Sequence, residues 1–159
     1  MKPSKIEIPI EILCVEKDLP IKLLSDKAKV PTYGSDDAAG MDIYAAQDAI
    51  IPCGETVKIS TGIATAIPKG FVGLVYARSG LATKQGLAPA NKVAVIDADY
   101  RGEWFIPLHN HSNEPREIKT GDRIAQVIIT PYITCNTVVV EELDDTVRGA
   151  GGFGSTGTN

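Results

Sequence analysis

The sequence predicts an all-β fold, a sandwich or barrel with one short helix. Three observations lead there. Brief runs rich in β-branched and aromatic residues recur at regular spacing, as in TVKIS (56–60), GIATAI (62–67) and FVGLVY (71–76), with Pro and Gly between them. Only one stretch reads as a helix, and it is two turns long. The polar stretch NKVAVIDADYRG (91–102) reads as a strand ending in a turn, with a second strand returning after it.

From the N-terminus, Ile6, Ile8, Ile10 and Ile12 alternate with polar residues and Pro9, the pattern of an edge strand. PIKLL (20–24) is the next strand, closed by Pro31-Thr32-Tyr33-Gly34. In SDDAAGMDIYAA (35–46), Asp42 falls between Met41 and Ile43 at a strand start. After the three short strands, Ser79 to Gly86 forms the helix, with Ser79 as N-cap and Gly86 ending it. Val93, Val95 and Ile96 then run up one arm of a β-hairpin, and Trp104, Ile106 and Leu108 alternate down the other. GDRIAQVIITPYI (121–133) is a turn and a strand, and TVVVEEL (137–143) another. The chain ends in a glycine-rich segment, RGAGGFGSTGTN (148–159).

At 159 residues, with 43% hydrophobic and 23% charged residues, the chain is long and apolar enough for one real core. The net charge of −4 argues against a nucleic-acid partner, though cations can still converge locally on a small anion. No apolar run reaches membrane-spanning length, and the first residues start no secretory signal. Cys14, Cys53 and Cys135 are odd in number and far apart, which fits buried or incidental thiols in a reducing cytoplasm.

Several short motifs could carry chemistry. The tail matches G-x-G-x-x-G formally, but no helix can follow it, so it is no dinucleotide fingerprint. It is either a loose end or a loop whose bare N–H groups, with Arg148, Ser155 and Thr156, wrap an anion while Phe153 covers a flat ligand. Arg78 precedes the helix N-terminus, where a phosphate is favoured; the alternative is a solvated arginine. Gln126 is a further donor or a plain polar group on a sheet face. His109 and His111 share a strand face but lack a third metal ligand. No nucleophile is activated, so Asp97 directing a water is the simplest chemistry, and the residues converge on a nucleotide phosphohydrolase.

Taken together, AAGMDIYAA (38–46), ARSGLATKQG (77–86), NKVAVIDADYRG (91–102), GDRIAQ (121–126) and RGAGGFGSTG (148–157) resemble, in order, the motifs of the trimeric deoxyuridine triphosphatase (dUTPase) family. The resemblance implies a distorted jelly-roll β-barrel over residues 19–147, preceded by an extension (1–18) and followed by an arm (148–159) that closes a site. It implies a cytoplasmic homotrimer with exchanged arms that cleaves dUTP to dUMP and pyrophosphate with Mg²⁺, limiting uracil in DNA and supplying the thymidylate precursor. Asp97 would be the general base. Asn91 and the backbone at Val95 and Ile96 would read uracil, and Tyr100 would lie under the deoxyribose. Arg78, Ser79, Gly80 and Gln126 would hold the phosphates, with Asp42 near the metal through water. Arg148, Phe153, Gly154, Ser155 and Thr156 would belong to the closing arm, with Phe153 on the base. Ala77 and Ala94 stand where the family usually has Pro and Gly. The alternatives are a dCTP deaminase of the same fold and a regulatory nucleotide-binding relative.

Overall fold

The computed structural model describes residues 17–152. Twelve short strands and one helix follow in order: β1 (Ile21–Leu23), β2 (Thr32–Tyr33), β3 (Met41–Tyr44), β4 (Ala49–Ile51), β5 (Thr56–Ser60), β6 (Ile63–Thr65), β7 (Phe71–Tyr76), α1 (Ser79–Gln85), β8 (Leu87–Pro89), β9 (Ala94–Ile96), β10 (Phe105–Asn110), β11 (Arg116–Ile118) and β12 (Arg123–Pro131). The all-β expectation holds, and the architecture is consistent with a jelly-roll barrel.

The longest strand, β12, lies inside a five-stranded sheet of order β2-β3-β12-β7-β9. Its first part pairs with β3 and its second with β7, the two overlapping at Gln126 and Val127, and its apolar run IAQVII suits a strand between two neighbours. A three-stranded sheet, β5-β10-β8, contributes to the same core. In β10, Ile106, Leu108 and Asn110 point inward while Pro107 and His109 do not, which bears out the expected alternation. Inward residues of both sheets, among them Ile43, Ile59, Val75, Ile106, Leu108 and Val127, form one cluster with Trp104. Burying each such side chain contributes about 1.5–3 kcal/mol before entropy is counted. Asn110 is tolerated there because its amide donates to the Ile51 and Glu114 carbonyls, at 2.9 and 2.7 Å.

Four expectations need correction. The strands around 93–96 and 104–108 do not form a hairpin: β9 pairs with β7, whereas β10 pairs with β5 and β8. The intervening loop closes on itself instead, with the Tyr100 N–H on the Asp97 carbonyl (3.1 Å) and the Arg101 guanidinium on Ala98 O (2.7 Å). Residues 137–143 form no strand: β-branched composition does not by itself supply a partner, and these residues pair with none of the described strands. Val139 and Leu143 stand 100% and 85% exposed. The N-cap of α1 is Arg78, not Ser79: Arg78 is extended (φ −85°, ψ 128°) and its carbonyl accepts from Ala82 N–H at 3.0 Å. Thr32–Tyr33 is itself an edge strand on β3 rather than a closing turn.

Gly86 ends α1 as expected, in the left-handed region (φ 68°) with its N–H on Ala82 O. The strands β4, β8 and β11 had no clear signal in the sequence, being three residues each. The strand expected at residues 6–12 lies outside the described residues. Cys53 and Cys135 are free and exposed. Among the described residues no helix is long and apolar enough to cross a membrane.

Candidate active site

Two clusters of polar residues are built on the five-stranded sheet. The first lies where β3, β12 and β7 run side by side, with Asp42, Gln126 and Tyr76 in one cross-strand row. Just past β7, the Arg78 guanidinium Nε meets Asp42 Oδ1 at 2.7 Å. The other oxygen of Asp42 accepts from Arg123 Nη1 at 3.1 Å, and Arg78 Nη1 donates to the Arg123 carbonyl at 3.2 Å. Asp42 is only 14% exposed, so its carboxylate is held by both arginines and leaves the cluster with net positive charge. Gln126 Nε2 donates to Ala77 O at 2.9 Å, fixing the backbone that leads into Arg78. Ser79 and Gly80 are exposed in the first turn of α1, which carries no acidic residue and no side-chain cap. This end therefore offers cations and N–H donors to an anion.

The second cluster is on the edge strand β9 and the loop after it. Asn91, Val95, Ile96, Asp97 and Tyr100 line one cavity of about 380 Å³. As an edge strand, β9 has one row of backbone N–H and C=O groups not used in the sheet. Asp97 is exposed at the mouth and also borders a larger cavity, about 830 Å³, on the other side of the loop. Tyr100 is anchored by its hydroxyl, which donates to Glu103 O at 3.0 Å.

The structure keeps these clusters apart within one chain. Ile96 lies opposite Gly73, so Asp97 falls near the start of β7, whereas Arg78 follows its end. Five residues separate Gly73 from Arg78, about 16 Å at ~3.3 Å per strand residue. A chain by itself thus does not bring Asp97 and Arg78 to one phosphorus atom. Arg148 joins neither cluster; its Nε donates to Gly151 O at 2.7 Å. Phe153, Gly154, Ser155 and Thr156 lie outside the described residues.

A family model described as dUTPase matches residues 26–157. The chain belongs to the dUTPase family. Deoxyuridine 5'-triphosphate nucleotidohydrolase of Nautilia profundicola is 49% identical to it over 139 residues, 87% of this chain and 98% of the relative. The Candida albicans protein of the same name is 48% identical over 145 residues, 90% of each chain. Among solved structures, a mutant dUTPase of Staphylococcus bacteriophage 80alpha with dUpNHpp superposes with a TM-score of 0.82 at 32% identity, covering 89% of this chain and 99% of the phage chain. A mutant dUTPase from phage phi11 of S. aureus, described with a structural Mg(II) ion, gives 0.72 at 30% identity, over 79% and 98%.

Residues of this dUTPase-family chain that sequence reasoning passed over are Arg123, Glu103 and Lys58. Arg123 was visible in GDRIAQ, but only the fold brings it to Asp42, 81 positions away. Glu103 and Lys58 line the same cavity as Asp97 and Tyr100. No three metal-ligating side chains converge among the described residues, and both oxygens of Asp42 are engaged by arginines. His109 and His111 stack edge to face at 4.4 Å, with no third ligand joining them.

Proposed function

We propose that this chain hydrolyses dUTP to dUMP and pyrophosphate, as a cytoplasmic homotrimer with sites shared between chains. The observation that carries the reading is the cavity in which Asn91, Asp97 and Tyr100 meet, in a chain of the dUTPase family. Uracil would pair with the free edge of β9 and with Asn91. Cytosine presents the opposite donor and acceptor at position 4, so a buried edge of fixed polarity would reject it. Tyr100, held against Gly102 and Glu103 O, would form the wall under the deoxyribose and leave no room for a 2′-hydroxyl.

Asp97, exposed at the cavity mouth, would accept a proton from the attacking water as its oxygen approaches the α-phosphorus. The P–O bond to the β-phosphate then breaks, and pyrophosphate leaves. Arg78, Ser79, Gly80 and Gln126 of a neighbouring chain would bind the phosphates, because the Asp97 of the same chain is too distant. Asp42 would orient Arg78 rather than contact substrate, and Arg123 completes that clamp. Among the described residues no side-chain set builds a protein-borne magnesium site. Mg²⁺ would come with the triphosphate, near Asp42 only through water, and would supply charge neutralisation. Residues 148–159, with Arg148, Phe153, Gly154, Ser155 and Thr156, would close the site as an arm from the barrel of residues 19–147.

The test is a product assay offering dUTP, dCTP, dTTP and UTP separately with Mg²⁺. Pyrophosphate from dUTP, with the other three poor, is the expected result. A deaminated product from dCTP, or cleavage of UTP at a comparable rate, overturns the assignment.

A further inference from the structure

We propose that Glu103 is a positioning residue for sugar discrimination, setting the place of Tyr100 by tying its loop to the β5–β6 turn. This rests on the reading of Tyr100 as the wall under the deoxyribose. Glu103 Oε1 accepts from the Ser60 hydroxyl and from Gly62 N–H, the latter at 3.0 Å. The residue's own carbonyl takes the Tyr100 hydroxyl at 3.0 Å. The next residue, Trp104, is 1% exposed and donates its backbone N–H to Ile63 O at 2.9 Å. One short stretch therefore joins the phenol, the loop and the turn after β5.

The turn it grips is itself held in place. Gly62 has φ +66°, and an added Cβ would come within 2.8 Å of both Ala28 and Ser25, while its carbonyl accepts from Leu24 N–H at 2.7 Å. Gly102 contributes by lacking a side chain: a Cβ there would lie 2.5 Å from the Tyr100 hydroxyl. The tyrosine thus rests on bare backbone and is stopped at its far end by Glu103. Glu103 lines the cavity but needs no contact with a reacting atom. A carboxylate oxygen that accepts from two donors on one turn restrains its loop more firmly than a free side chain does. Small displacements of such a wall matter, because excluding one hydroxyl depends on fractions of an ångström.

The experiment measures kcat/KM for dUTP and for UTP in wild type, Glu103→Ala, Glu103→Gln, Tyr100→Ala and the double variant Glu103→Ala/Tyr100→Ala, with the folded state checked by thermal unfolding. Glu103→Ala should raise the UTP-to-dUTP ratio about tenfold, chiefly through KM. Glu103→Gln, which keeps an oxygen for the same donors, should return the ratio to within about twofold of wild type. In the Tyr100→Ala background, Glu103→Ala should add no further change, since it acts through that ring. If Tyr100→Ala relaxes the ratio and Glu103→Ala does not, Glu103 has no positioning role, though the reading of Tyr100 stands. If Tyr100→Ala itself leaves the ratio unchanged, the reading of the wall fails. Should Glu103→Ala not fold, Ser60→Ala removes one donor alone; a ratio rising severalfold supports the proposal, and an unchanged ratio overturns it.

Discussion

Two inactive chains should rescue each other when mixed. In one chain, the register of β9 on β7 puts Asp97 near Val72, while Arg78 lies past the far end of the same strand. The separation is about 16 Å or more along β7, well beyond the reach of an arginine side chain to a phosphorus served by Asp97. A working site must then take Asp97 from one chain and Arg78 from another. Asp97→Asn should lower turnover by roughly two to four orders of magnitude. Arg78→Ala should cost on the order of a hundredfold or more through lost charge stabilisation, while Asp42 keeps Arg123 at 3.1 Å and the barrel keeps its fold. Refolded together in equal amounts, half of the chains carry an intact Asp97 and half an intact Arg78. Under threefold symmetry, about a quarter of sites draw both from different chains. The assay is pyrophosphate release from dUTP, with tagged chains co-purified to show that mixed assemblies form. Activity near a quarter of wild type stands far above either parent. Mixed assemblies as inactive as both parents would refute the separation of Asp97 from Arg78.

Three further outcomes follow from particular contacts. Arg123→Ala leaves one oxygen of the poorly exposed Asp42 without its cation and removes one of the two positive charges of the cluster, while Arg78 keeps its bonds to Asp42 and to the backbone carbonyl at 123, so kcat/KM for dUTP should fall about tenfold, mainly in KM; an unchanged value means the Arg123 charge takes no part in phosphate binding. Ala94 is half-buried on β9 and lines the cavity with Asn91 and Tyr100, so Ala94→Gly should tighten dUMP binding severalfold in a titration if its methyl crowds the base; equal affinity discards the idea. Asp48 accepts the Thr120 N–H at 2.7 Å and its hydroxyl at 2.8 Å, which hold its carboxyl below the usual 3.8. A depressed folded value gives stability present above the unfolded pKa and lost as pH falls through the folded one. Tm measured through the acid range should therefore fall less steeply in Asp48→Asn, and matching profiles would dismiss the link.

The sequence alone determined the elements whose cause is local. The runs 56–60 and 71–76 became strands as read, since β-branched residues between Pro and Gly leave the backbone little else to do. Gly86 marked the helix end because the left-handed turn there favours a residue without Cβ. The ordered motifs marked the chain as dUTPase-like, and the family match bears that out. Pairing was another matter. Residues 93–108 contain two strands with a turn between, yet β9 joins β7 and β10 joins β5 and β8, because a strand's partner is chosen by every edge the rest of the chain presents. That choice leaves β9 with the free edge a base could read. It also separates Asp97 from Arg78, while the pairing of β12 with β3 brings Arg123 to Asp42 across 81 positions of sequence. Residues 137–143 are strand-like in composition but pair with none of the described strands. Propensity acts over a few neighbouring residues, whereas hydrogen-bonding edges and ion pairs are satisfied over the whole barrel, and only the tertiary structure decides those.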